Sequence, residues 1–255
     1  MAEVEIFKLF ALVMVRFSGL MVSAPVLGSG NFPVSAKVGL TAMTALIITP
    51  TIPALDTPLP GEPIAFGILA LGEVLIGLMI GFVMSLFFAS IQVAGQIMDM
   101  QSGFGMMNVF NPAMETQFPI FGFFLFIIAV LYFLVLGFHH TAIHALAHTY
   151  EVIPVGGFTL QPGLLYEVSR WGRDMFVDGL IIAAPIAASM LLAYITMGLL
   201  GRVVPQIHLF VVGFPITIAT GLFVTSFIIG VYLQVLDGMF ERMMGNVETL
   251  IRGMG

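Results

Sequence analysis

The stretch Ile64–Val93 reads IAFGILALGEVLIGLMIGFVMSLFFASIQV, and Glu73 is its single charged residue. A helix needs about 20 mostly apolar residues to cross the hydrocarbon core of a bilayer. A surface helix of a soluble protein shows a polar face, and this run has none. The segment therefore reads as a membrane helix. Glu73 then needs an explanation, because an acid at the centre of a bilayer costs ~2.5–3.5 kcal/mol on insertion scales. It pairs with a buried cation such as Arg16, or it belongs to a proton relay, or the segment lies outside the hydrocarbon. A relay wants a second carboxylate, and this run carries none.

Further apolar runs flank this one on both sides. They are Ile6–Leu27, which contains Arg16; the short Val38–Ile52; the uncharged Phe118–Phe138 and Gly179–Leu200; and Ile207–Leu236, which carries Pro215. Together the segments predict an all-α, polytopic membrane protein of about six hydrophobic helices in a single domain, 1–255. Composition points the same way. The chain is 9% charged, against about 25% in soluble domains, which is too little to cover a soluble surface. Its 8 Lys and Arg are scattered and its net charge is -6, so it lacks the clustered cations that nucleic-acid binding needs. The absence of cysteine removes disulfides, thiolate metal sites and Cys nucleophiles. Glu3 and Glu5 precede the first run, where a signal peptide wants positive charge, and a cut after Ala24 would fall directly before Pro25. The first segment is expected to stay in the mature protein.

The connections differ in character. Pro25 to Lys37 is a turn region, and Pro50 to Pro63, with five prolines and two acids, is a stiff extended loop. Gln92 to Gln117 is rich in Met, Gly and amides. His139 to Asp178 is the longest polar stretch and reads as a connection. Arg202 to His208 is short and contains Pro205. Beyond the last run, Leu236, Phe240, Met243, Val247 and Leu250 recur at helical spacing, with Glu248 and Arg252 paired on the other side. This predicts an amphipathic helix for a membrane surface or a partner. With six spans, Lys8, Arg170, Arg173, Arg242 and Arg252 share a side with both termini, against Lys37 and Arg202 opposite. The positive-inside rule then puts the termini in the cytoplasm.

Four features carry candidate chemistry. Glu73, Gly77, Gly81, Ser85 and Ala89 follow at four-residue intervals, a stripe that lets helix backbones approach, within the chain or between subunits. Arg16 and Glu73 are intramembrane charges. His139, His140, His144 and His148 include three at helical spacing, which suits a metal or haem, or simply an interfacial helix. Gly103-Phe104-Gly105-Met106-Met107-Asn108-Val109-Phe110-Asn111-Pro112 is glycine-flanked, Met-rich and ends on a turn starter. Helix is not expected through it, and it reads as a pliable apolar loop able to fill a hole, or as an ordinary connector. No phosphate loop, nucleophile elbow or HExxH is present, and Gly103-Phe104-Gly105 lacks the strand and later glycine of a dinucleotide fingerprint. No catalytic residue, metal site or cofactor is expected.

Taken in order, these features resemble the FliR family of flagellar export-gate proteins and its type III secretion counterparts. The resemblance begins at Arg16-Phe17-Ser18-Gly19 and Ala24-Pro25 and runs through Pro33, Lys37 and Pro50–Pro63. It continues with Gly72-Glu73-Val74-Leu75-Ile76-Gly77 and Gly81, then Gly95-Gln96, Asp99, Gly103 and Asn111-Pro112. Gly137-Phe138-His139-His140 and Ile153-Pro154-Val155-Gly156 look like the family's middle section. The most specific piece is Arg202-Val203-Val204-Pro205-Gln206-Ile207-His208-Leu209-Phe210 with Gly213-Phe214-Pro215. One departure is His208, where the family pattern has Asn.

The resemblance implies a gate subunit that assembles with FliP and FliQ, with FlhB associated, in the bacterial inner membrane at the flagellar basal body. Such a core is a helical hetero-oligomer that passes unfolded export substrates. Its plug loop would here run from Gly103 to about Glu115. The resemblance accounts for His139 and His140 without a metal, and implies that neighbouring subunits as well as lipid bury the apolar segments. The expected function is a non-enzymatic export-gate subunit giving pore wall and plug. The alternatives are the injectisome version of the same gate and a membrane metal or redox protein using the histidine face.

Overall fold

The computed structural model describes residues 2–30, 32–53, 58–104, 119–206 and 209–255. Among these residues it forms α-helices, one 3-10 turn at Thr49–Thr51 and no strand. The helices are α1 (Ala2–Ser23), α2 (Val34–Ile48), α3 (Pro63–Ser102), α4 (Ile120–Val135), α5 (Phe138–Val152), α6 (Pro162–Val203) and α7 (Leu209–Gly253). The all-α membrane architecture holds. Among the described residues, five helices are long and apolar enough to cross a membrane, and there are six spans if α4 and α5, bent by 64°, count as one.

Proline and glycine set the boundaries. Pro63 and Pro162 are the first residues of α3 and α6, where the missing N–H has no intrahelical partner to lose. Gly137, at φ 75, separates α4 from α5 in a conformation that side chains disfavour. The proline-rich stretch is held to α1 at Leu59, whose N–H donates to the Glu5 carboxylate (3.2 Å) and whose carbonyl accepts from Lys8 Nζ (3.4 Å).

The structure corrects three boundaries. First, α3 does not stop near Val93 but runs to Ser102. Second, His139 to Asp178 is mostly helix, comprising α5 and the start of α6. Its polarity belongs to one helix face: His140, His144 and His148 are exposed, while Ala142, Leu146, Thr149 and Tyr150 are buried. Third, the apolar face of the C-terminal helix is not left for a membrane surface or a partner. Leu236, Phe240, Met243, Val247 and Leu250 are all buried within the chain, and Glu248 pairs with Arg252 at 2.6 Å on the exposed side.

The residues divide into two compact units. Residues 1–86, 134–171 and 241–255 form one, with a core of Leu12, Phe17, Leu20, Ile76, Ile80, Leu146 and Leu250. Residues 87–133 and 172–240 form the other, built around Phe88, Phe121, Phe133, Met190 and Phe240. The Phe88 and Phe133 rings meet edge-on at 5.7 Å. Helices α3, α6 and α7 continue from one unit into the other. Each has 40 residues or more, about twice what a bilayer crossing needs.

Candidate functional site

Arg16 and Glu73 are both fully buried, and Arg16 Nε donates to Glu73 Oε2 at 2.5 Å. Two charges in an apolar interior are tolerable only if their remaining groups are also satisfied. Here they are. Arg16 Nη1 donates to Thr149 Oγ1 (2.7 Å), and both terminal nitrogens donate to the Ile153 carbonyl (3.3 Å). The other Glu73 oxygen accepts the Gly156 N–H at 3.0 Å. Arg16 Cζ also lies 3.9 Å from the centre of the Tyr150 ring, a cation–π placement favoured by desolvation. The Tyr150 hydroxyl is buried with no hydrogen-bond partner among the described residues. The pair thus joins α1, α3, α5 and the connection that follows α5.

The small-residue stripe lies beside this cluster. A Cβ on Gly77 would overlap the Arg16 carbonyl oxygen, and one on Gly81 would overlap Ser23 Oγ. From the other side, a Cβ on Gly19 would stand 2.5 Å from the Val74 carbonyl oxygen. Glycine on both helices therefore sets the α1–α3 separation, and it brings Arg16 within direct reach of Glu73. Ser85 and Ala89, further along the stripe, are half-buried.

A second polar fixture lies in the other unit. The buried Asp99, on α3, accepts the N–H groups of Phe121 (3.1 Å) and Gly122 (3.2 Å) at the start of α4. It is a helix cap supplied from another helix, with the negative charge at the positive end of the α4 dipole. Thr217 Oγ1 donates to the Ser102 carbonyl (2.9 Å), and Tyr194 Oη donates to that of Gln101. Gly103, at φ 89, faces the Phe214 ring, and the Phe104 ring packs edge-on against Phe121 at 5.6 Å. Of the expected plug stretch, Gly103 and Phe104 are thus placed. Gly105, Met106, Met107, Asn108, Val109, Phe110, Asn111 and Pro112 lie outside the described residues, as does His208. Replacing Asp99 with Ala should cost roughly 1–3 kcal/mol by orphaning two buried donors. Hydrogen exchange at the Phe121 and Gly122 amides reads this out, and unchanged rates would contradict it.

The His139 and His140 rings lie 4.0 Å apart between centres, tilted by 41°, and His148 pairs with Glu151 at 2.8 Å on the exposed face of α5. Among the described residues no three His, Asp or Glu side chains gather as a metal site. Much apolar surface is unburied. In the most apolar windows of α2, α6 and α7 only 17%, 22% and 22% of the residues are buried, against 56% in α3. An open apolar groove of about 380 Å³ is lined by Ile120, Phe121, Phe124, Leu222, Thr225, Ser226 and Ile229.

Residues 7–243 match the model of the family described as bacterial export proteins, family 1. The chain belongs to that family. Among its relatives is the flagellar biosynthetic protein FliR of Escherichia coli (strain K12), 29% identical over 238 residues, covering 93% of this chain and 90% of that one. FliR of Bacillus subtilis (strain 168) is 29% identical over 257 residues, 99% of this chain and 98% of its own length. FliR of Pectobacterium carotovorum subsp. carotovorum is 30% identical over 237 residues, 93% and 88%. The family match takes in Arg16, Glu73, Asp99 and Thr149, so both polar fixtures lie inside the part shared with bacterial export proteins.

Proposed function

We propose that this chain is a subunit of the flagellar type III export gate, working as a single domain in the bacterial inner membrane at the basal body. In this reading it assembles with FliP and FliQ, associates with FlhB, and contributes pore wall and plug to a passage for unfolded export substrates. It performs no covalent chemistry. The family match over residues 7–243 carries the reading. The three relatives named above are flagellar proteins, which favours the flagellar system over the injectisome. The exposed apolar faces of α2, α6 and α7 need cover, which lipid and neighbouring subunits supply in this reading.

Expression in a bacterium lacking its own FliR tests this directly. Restored motility and co-purification with FliP and FliQ are expected. A stably inserted chain that does neither would overturn the reading.

In the same reading, Gly103 to about Glu115 is the plug. Met106, Met107, Val109 and Phe110 have no reason to face water, and their dispersion contacts are individually weak enough for an arriving chain to displace. Deleting Met106 to Phe110 should leave the complex assembled but permeable to small ions. Membrane conductance at wild-type values, with the complex intact, would reduce the loop to a connector.

A further inference from the structure

The connection between α5 and α6 is held at one end by the buried ion pair and at the other by the end of the chain. Ile153 is extended and fully buried, and its carbonyl accepts from Arg16. Gly156, at φ 79, gives its N–H to Glu73. Next to Glu73, Gly72 faces Phe158, whose Cβ lies at ordinary contact distance, 3.4 Å, from where a Gly72 Cβ would stand. The connection then turns to the C-terminal residues. Thr159 N–H donates to the Met254 carbonyl (3.0 Å) and Gln161 N–H to that of Gly253 (3.1 Å). Gln161 Nε2 reaches the Arg252 and Gly255 carbonyls, both at 3.4 Å. Leu250 and Met254 are fully buried beneath this ladder.

We infer that Glu73 and Arg16 are positioning residues for the end of α7: the ion pair fixes the Ile153–Gly156 turn, and the turn sets the register in which Thr159 and Gln161 hold Gly253 and Met254. Every group in this series lies in the same compact unit. The ladder has two backbone bonds, both donated from outside any helix, and each contributes only about 1 kcal/mol net. It keeps its register because the connection is fixed upstream. The buried pair is a costly way to fix it, and its directional bonds to one carbonyl and one N–H supply what an apolar pair of equal volume would lack. The inference does not depend on what the protein exports.

Hydrogen exchange on the full-length chain in detergent micelles tests it. Arg16 Nε–H and Gly156 N–H reach different oxygens of Glu73; in Glu73→Gln one of those positions becomes an NH2 group that faces a donor, so one bond must be lost. Exchange at Thr159, Gln161 and residues 250–254 should quicken by roughly tenfold or more, with Phe121 and Gly122 unchanged. Asp99→Asn should do the reverse. Thr149→Val, which removes one Arg16 partner, should give a smaller increase at the same C-terminal amides, and Thr149→Ser should restore wild-type rates. Unchanged rates at Thr159 and Gln161, or a uniform rise across both units, would overturn the inference. If Glu73→Gln cannot be recovered, the Thr149→Val and Thr149→Ser comparison decides by the same criteria.

Discussion

Arg16→Met is expected to destabilise the isolated chain by roughly 3–5 kcal/mol, the usual penalty when one partner of a buried ion pair is removed. The loss is more than one contact. Glu73 would be left in an apolar interior with only the Gly156 N–H as hydrogen-bond partner for its carboxyl group. The Ile153 carbonyl would lose both guanidinium donors, whereas Thr149 would keep its own bond to the Leu146 carbonyl. Replacing both members, Arg16→Met with Glu73→Met, should recover part of the loss, because no buried charge then remains. The sole tryptophan, Trp171, is buried in the same unit as the pair, so its fluorescence can follow thermal unfolding in detergent. A single mutant within about 1 kcal/mol of wild type, inside the range of surface pairs, would show that the pair is not buried as described.

The sequence exposes one half of this pair readily and the other half less so. Glu73 stands out because it is the one charge in thirty apolar residues. Arg16 is the one charge between Phe10 and Ser35, so pairing the two is a short step, although the sequence leaves a relay, or a segment outside the hydrocarbon, equally open. Thr149, Ile153 and Gly156 carry no such mark. Two of them contribute backbone groups, and every residue has those. Asp99 is harder still. Capping rules look for an acid immediately before a helix, and here it lies on a different helix, with residues 105–118 intervening. The polar stretch after Phe138 misleads for a related reason. Composition alone cannot separate a loop from a helix with one wet face, and the period of Ala142, Leu146 and Thr149 is short beside the histidines. The fold class is legible because it rests on long apolar runs, which admit few other readings.

Gly77→Leu combined with Gly81→Leu should abolish recovery of the folded chain, and the single changes Gly77→Ala and Gly81→Ala should each cost about 1–3 kcal/mol by overpacking. The two positions differ in what resists. At Gly77 the new Cβ meets backbone, the Arg16 carbonyl and the Leu20 amide, so the helices themselves must separate. At Gly81 the nearest atom is the Ser23 hydroxyl, which can rotate, but the Ala24 amide stands 2.6 Å behind it. Separation of α1 from α3 would also lengthen the Arg16–Glu73 contact, so the Gly77 change should behave partly like a weakened ion pair. Gly198→Ala and Gly230→Ala are the controls. Both positions are helical with nothing within 4 Å of the added methyl, and alanine there should be neutral or stabilise by up to about 1 kcal/mol. Because Gly77 and Gly81 pack against α1 of the same chain, the defect should appear in the isolated subunit, before any partner is added. Equal thermal stability of Gly77→Ala and Gly198→Ala would show that glycine does not set this crossing. A loss seen only in the assembled complex would move the packing face to a neighbouring subunit.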